Sequence, residues 1–165
     1  MRSGANSHAA ILDLVQLVPV VENARGRGLT IAFANGCFDV LHVGHVRYLS
    51  DAATRADILI VGVNGDASVR ELKGIGRPLI PAGERAELIA ALRFVDFVVV
   101  FEERSPRQLL GLLKPDFHCK GTDYTEDSVP EKDVVESYGG RVVITGDPKD
   151  HSTTELIGQM RQSAS

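Results

Sequence analysis

The chain alternates short apolar runs with stretches whose apolar residues return every three or four positions. Leu29–Ala34 is an unbroken apolar run, the length of a strand buried on both faces, and Asn35-Gly36 ends it. Asp57–Asn64, Phe94–Phe101, Asp116–Lys120 and Arg141–Thr145 repeat this pattern and predict four more strands. Helical spacing lies between them. Val43, Val46 and Leu49 share one face, Ala67–Leu72 reads as a short helix, and Ala82–Arg93 carries Leu88, Ile89 and Leu92 on one side. Ser105 as N-cap with Pro106 at the first helical position predicts a helix to about Lys114. Pro130–Tyr138 is predicted helical and stops at Gly139-Gly140, and a last helix starts at Ser152. Ahead of all this, His8–Ala24 has helical spacing, with a break or kink expected at Pro19, and Arg25–Gly28 forms a turn. Met1–Ser7 is small, polar and expected to be loose. Residues 1–28 thus read as an N-terminal helical extension, either a packing helix or the remnant of a linker, and 29–165 as the main domain. Strand and helix in strict alternation predict an α/β fold: one doubly wound parallel sheet with helices on both faces.

Composition narrows this little. At 165 residues, 44% hydrophobic and 24% charged, the chain has the make-up of a single globular domain. A net charge of -4 argues against bulk nucleic-acid binding but leaves room for a local basic pocket. Two cysteines, Cys37 and Cys119, form no disulfide framework. No apolar run reaches transmembrane length and the N-terminus lacks a signal pattern, so a cytoplasmic protein without a membrane partner is expected. A homodimer stays open.

The chemistry concentrates where the first long strand passes into a helix. In Gly36-Cys37-Phe38-Asp39 followed by His42-Val43-Gly44-His45, two histidines three apart flank a glycine at a helix N-terminus. Residues three apart in a first turn can project together, and exposed backbone N–H groups there favour a phosphate. The plain alternative is one histidine capping the helix and one packing. A zinc site wants three protein ligands, and no third stands nearby in sequence. In a parallel sheet, ligands bind beyond the carboxyl ends of the strands. Asn35, the Asn64–Asp66 turn, the Lys120–Asp123 turn and the Gly146–Ser152 loop should therefore converge with the histidines. Lys73 and Arg77 lie in a glycine-punctuated loop that suits a triphosphate lid or, equally, two solvated cations. Ser152 with Glu155 forms a capping box, and hydroxyls and N–H groups of such a turn can also hold phosphate. Cys37 invites a thiol-nucleophile reading, but direct displacement at phosphorus needs no covalent intermediate.

These motifs resemble the G-x-F-D-x-x-H-x-G-H signature of the cytidylyltransferase-like nucleotidyltransferases, over roughly Leu29 to Met160. Leu72-Lys73-Gly74, Arg77-Pro78 and Lys120-Gly121 with Asp123-Tyr124 are most similar to the heptose 1-phosphate adenylyltransferase branch, found alone or as the C-terminal domain of bifunctional ADP-heptose synthases. The resemblance implies a Rossmann-like fold of the HxGH type. It implies AMP transfer from ATP to D-glycero-β-D-manno-heptose 1-phosphate, with pyrophosphate released, Mg²⁺ carried mainly by the triphosphate and no metal ligand directly assigned. His42, His45 and Lys73 would be catalytic. Cys37, Phe38, Asp39, Gly44, Arg77, Lys120, Gly121, Asp123, Ser152, Thr153 and Thr154 would join the histidines around the nucleotide. Asn35, Asp66, Lys73 and Arg85 would face the sugar phosphate, Arg85 matching an arginine of the family's E/H-R pair. Asp39 would orient the signature loop or bind metal. The cytidylyl branch carries R-T-x-G before its S-T-T. Here Asp147-Pro148-Lys149-Asp150 stands there, with Lys149 as the substitute cation or none. A cytidylyltransferase for glycerol 3-phosphate and a non-catalytic nucleotide sensor are the alternatives.

Overall fold

A computed structural model describes residues 8–148 and 152–163. The expectations placed on Met1–Ser7, Lys149 and His151 lie outside the described residues. Six strands form one parallel sheet in the order β1-β4-β3-β2-β5-β6: β1 (Ala10–Ile11), β2 (Ile31–Gly36), β3 (Ile58–Asn64), β4 (Phe97–Phe101), β5 (Phe117–Lys120) and β6 (Arg141–Ile144). The helices are α1 (Leu14–Gly26), α2 (Val43–Ala52), α3 (Asp66–Lys73), α4 (Ala82–Ala90), α5 (Arg107–Leu113), α6 (Lys132–Ser137) and α7 (Thr153–Ser163).

Alternation along each strand divides the core in two, which is why the runs read as continuously apolar. Ile31 and Phe33 of β2 pack with Ile60, Val99, Leu17 and Val21 of α1, Leu110 of α5 and Val135 of α6. Ala32 and Ala34 face the other way, with Leu59, Val61, Val63, Leu49 of α2 and Ile89 of α4. Gly62 permits this layering: a Cβ there would stand 2.7 Å from the Phe33 ring. β3 and β4 extend from β2 in one direction and β5 and β6 in the other. Strand order therefore reverses between β2 and β5, the place where such sheets leave a crevice.

Three local expectations are corrected. The segment His8–Ala24 is not one helix: Ala10–Ile11 pairs with Phe97–Val98 as a sheet edge, and α1 starts at Leu14 behind Asp13. Asp13 and Gln16 close a reciprocal capping box there, Gln16 N to Asp13 Oδ1 at 2.8 Å and Asp13 N to Gln16 Oε1 at 3.0 Å. Pro19 lies inside α1, which runs on to Gly26, because burial of Leu17, Val21 and Ala24 outweighs one lost backbone bond. Ser105 does not cap α5; its hydroxyl donates instead to Glu131 Oε1 at 2.8 Å, and Pro106 occupies the cap position.

Candidate active site

A cavity of about 630 Å³ opens at the carboxyl ends of β2 and β5, at the strand-order reversal. Its wall contains Asn35, Cys37, Phe38, Asp39, His42, Gly44, His45, Lys73, Arg77, Lys120, Gly121, Asp123, Ser152, Thr153 and Thr154. Two expected residues, Asp66 and Arg85, are not part of that wall.

The histidines build the start of α2 from their own side chains. His42 is the N-cap, and its Nδ1 accepts from Gly44 N at 3.1 Å. His45 Nδ1 accepts from His42 N at 3.3 Å. Both capping bonds fall on the Nδ1 atoms. With each Nδ1 occupied as an acceptor, a neutral ring carries its proton on Nε2, so both imidazoles are fixed in the same tautomer. The rings stack, centroids 3.9 Å apart, and Phe38 meets His45 edge-on at 5.2 Å. Phe38 is buried and holds a left-handed backbone, φ 49°, a conformation kept by the surrounding loop. Burial, then His42 and Lys73, push the His45 pKa down from 6.5 to about 3. A neutral histidine that charges on unfolding makes the unfolded chain bind more protons between those two values, so stability falls as pH falls through that window. The Tm of the wild type is therefore expected to drop between pH 7 and 5 more steeply than that of His45→Gln, whose amide keeps the capping bond. Equal slopes in differential scanning fluorimetry would remove this assignment.

Asp39 ties the signature loop to the segment that follows Arg77. It is almost wholly buried, pairs with the Arg77 guanidinium, and accepts from Leu79 N at 2.7 Å and Ile80 N at 3.0 Å. Burial alone would raise its pKa, but these three donors hold it below the ordinary value. Asp39 thereby holds the signature loop against the Leu79–Ile80 segment and engages Arg77 through its Nε. Lys73 closes α3 at the cavity, and Gly74 and Gly76 follow with φ of 94° and 85°, values that suit glycine in a tight turn.

Arg85 lies beneath the site, fully buried. Its Nη1 donates to Cys37 O and Asn64 O, its Nε to Ile80 O at 2.8 Å and its Nη2 to Asp66 Oδ1 at 2.7 Å. Asp66 Oδ1 also accepts from Ala82 N. All these bonds go to protein, and neither residue is among those lining the cavity. Cys37 lines the cavity, with its thiol pKa raised by burial against the pull of Lys73, Arg85 and Arg77; burial likewise drives buried Cys119 up to about 12. Neither is a ready thiolate. At the far wall Ser152 Oγ accepts from Glu155 N at 3.1 Å, and Thr153 Oγ1 donates to Val40 O at 3.2 Å, tying α7 to the signature loop.

Sequence reasoning missed one side of the cavity. Arg104, Ser105 and Pro106 after β4, Tyr124 and Glu131 after β5, and Thr145 after β6 complete the wall. Lys120 reaches between the two sides, its Nζ 4.8 Å from the Tyr124 ring centroid. Burial lowers its pKa while Glu131 and Cys37 oppose that shift. Among the described residues no group of three or more His, Cys, Asp or Glu is placed to hold a metal ion, and no helix is long and apolar enough to cross a membrane.

Residues 33–158 match the cytidylyltransferase-like family. The chain belongs to that family, a family of nucleotidyltransferases. It is 51% identical over 156 residues to the bifunctional protein HldE of Geotalea uraniireducens, covering 94% of this chain and 32% of that protein. It is 53% identical over 138 residues to HldE of Syntrophotalea carbinolica, covering 84% and 28%. The chain thus spans about a third of the length of the curated relatives it matches. Among solved structures, a lipopolysaccharide core biosynthesis protein from Thermoplasma volcanium aligns with a TM-score of 0.65 at 27% identity, covering 74% of this chain and all of that one. A pantoate–β-alanine ligase from Francisella tularensis shares the fold alone, at 13% identity and a TM-score of 0.59, covering 88% and 69%.

Proposed function

We propose that this protein transfers AMP from ATP to D-glycero-β-D-manno-heptose 1-phosphate, giving ADP-heptose and pyrophosphate. The observation that carries this reading is the pair of stacked imidazoles fixed as Nε2–H donors at a helix N-terminus. Donors of fixed tautomer suit charge that develops on a phosphate without proton exchange. The likeness to HldE and to the Thermoplasma protein supports the heptose acceptor and the place in lipopolysaccharide-type supply.

An oxygen of the acceptor phosphate attacks the α-phosphorus in line, and the bond to the bridging oxygen of pyrophosphate breaks. The attacking oxygen is already ionised, so no strong base is needed, and catalysis rests on positioning and charge stabilisation. His42 and His45 would donate to α- or β-phosphate oxygens, with the N-terminus of α2 adding its dipole. Lys73 would meet the polyphosphate from the glycine-flanked loop, and the Ser152–Thr154 turn would hold its far end. Asp39 is committed to Arg77 and two backbone N–H groups, so Mg²⁺ would enter with the triphosphate, where it offsets phosphate charge.

Pyrophosphate release from four nucleotides, each offered with a panel of sugar 1-phosphates and glycerol 3-phosphate, tests the reading. ATP with the heptose 1-phosphate should give the highest kcat/KM. A higher value for CTP with glycerol 3-phosphate would move the protein to cytidylyl transfer. Nucleotide binding with no pyrophosphate from any pair would make it a sensor.

A further inference from the structure

Three polar atoms in the lining of the cavity are not satisfied by protein. Asn35 Oδ1, Thr145 Oγ1 and Glu131 Oε2 are each buried and accept no hydrogen bond from the chain. Thr145 and Glu131 are more than nine-tenths buried, and all three residues line the cavity. A buried polar atom left unpaired costs about 1–3 kcal/mol, so three along one wall are unusual in a stable fold.

The carboxylate is held in place from behind. Ser105 Oγ donates to Oε1 at 2.8 Å, and His118 Nε2 stands at 3.5 Å from Oε2, longer than a good hydrogen bond. His118 is fully enclosed and stacked on Phe33 at 5.9 Å. Burial drives its pKa down, so it stays neutral. Burial would raise the Glu131 pKa, but His118, Lys120 and Ser105 outweigh this and bring it to about 2. Glu131 is therefore ionised and accepts only.

Two of the three atoms are acceptors without a proton, and the third is a hydroxyl. Such a wall asks for donors. It repels phosphate, which has none to give at neutral pH. Lys120 already acts on the Glu131 carboxylate, so the fitting donors are neutral hydroxyl groups. We propose that Glu131, Thr145 and Asn35 form the subsite that reads the hydroxyl groups of the acceptor sugar, with Ser105 and His118 positioning the carboxylate. This rests on the acceptor being a sugar phosphate, as argued above. The arrangement also gives the acceptor a direction. Its phosphate is held toward Lys120, Lys73 and the histidines, and its polyol toward Glu131.

Calorimetry with a non-transferable methylene analogue of ATP present tests this without requiring turnover. Two probes are titrated, D-glycero-β-D-manno-heptose 1-phosphate and glycerol 3-phosphate, into wild type, Glu131→Gln and Thr145→Val. The heptose 1-phosphate Kd is expected to rise at least tenfold in Glu131→Gln and severalfold in Thr145→Val. The Kd values of glycerol 3-phosphate and of the ATP analogue should stay within twofold. Thr145→Val carries the test if Glu131→Gln does not fold. Unchanged heptose 1-phosphate affinity in the folded variants overturns the subsite, while continued pyrophosphate release leaves adenylyl transfer standing. Equal weakening of all three ligands, with a lowered Tm, also overturns it and makes Glu131 a purely structural group. A selective loss of heptose 1-phosphate binding in a protein that releases no pyrophosphate keeps the subsite and removes the reaction. No binding of heptose 1-phosphate by wild type removes both.

Discussion

Changing either His42 or His45 is expected to lower kcat by about 100- to 1000-fold, the usual loss when one preorganised donor to developing charge is removed. The choice of replacement matters because both rings also start a helix. His42→Asn and His45→Gln keep side-chain oxygens that can accept the two backbone N–H groups, but they lack the imidazole Nε2–H. They should retain nearly the wild-type Tm and nucleotide Kd while losing turnover. The alanine variants should lose the same turnover and about 1 kcal/mol of stability besides. In the proposed mechanism both donors serve one phosphate group, so the double variant should lose less than the product of the single losses. Steady-state kinetics, nucleotide titration and thermal melts on the same proteins separate these effects. Near-normal kcat in folded His42→Asn or His45→Gln would sink the mechanism.

The second large effect belongs to a buried residue outside the cavity wall. Arg85 collects the carbonyls of Cys37, Asn64 and Ile80 and the carboxylate of Asp66 on one guanidinium. Arg85→Met leaves the Cys37, Asn64 and Ile80 carbonyls without that partner, at about 1–3 kcal/mol for a buried unsatisfied group, while the part-exposed Asp66 carboxylate turns to water. In a domain of this size that corresponds to a Tm lower by on the order of 10 °C. Arg85→Lys should recover only part of it, because one ammonium cannot span the fork of acceptors. The Cys37 and Asn64 carbonyls sit at the ends of β2 and β3, so nucleotide affinity should weaken along with stability. A wild-type Tm in Arg85→Met would contradict the role.

What the residues revealed in advance follows from which interactions are local. β2, β3 and β4 declared themselves because strands of a covered parallel sheet are apolar almost throughout, and β5 and β6 as short runs bounded by turn residues. The histidine pair was legible because a capping box is written within four consecutive residues. Arg85 was placed toward the sugar phosphate by resemblance, and its buried setting was not legible because its partners are contributed by three other segments, up to 48 positions away. Asp39 could not be separated from a metal ligand until Arg77, Leu79 and Ile80 came round to it. The Glu131 wall has no linear signature: Ser105, His118, Glu131 and Thr145 come from four loops and strands, and each alone is an ordinary polar residue. Ser105 was misread for a related reason. Ser-Pro is a strong local cap signal, and a long-range carboxylate overrode it.

The two residues of β1 have a consequence out of proportion to their length. Ala10 N donates to Asp96 O at 3.3 Å and Leu12 N to Val98 O at 2.8 Å, so this strap covers the outer edge of β4. Beneath it runs Phe97-Val98-Val99-Val100-Phe101, uncharged, free of proline and rich in β-branched side chains. A bare edge of that composition is a template on which another chain can add a strand. The strap therefore acts as a guard on colloidal behaviour. It shields the most adhesive segment of the sheet from its own copies, and a chain trimmed to start at Leu29 would give up that protection together with α1.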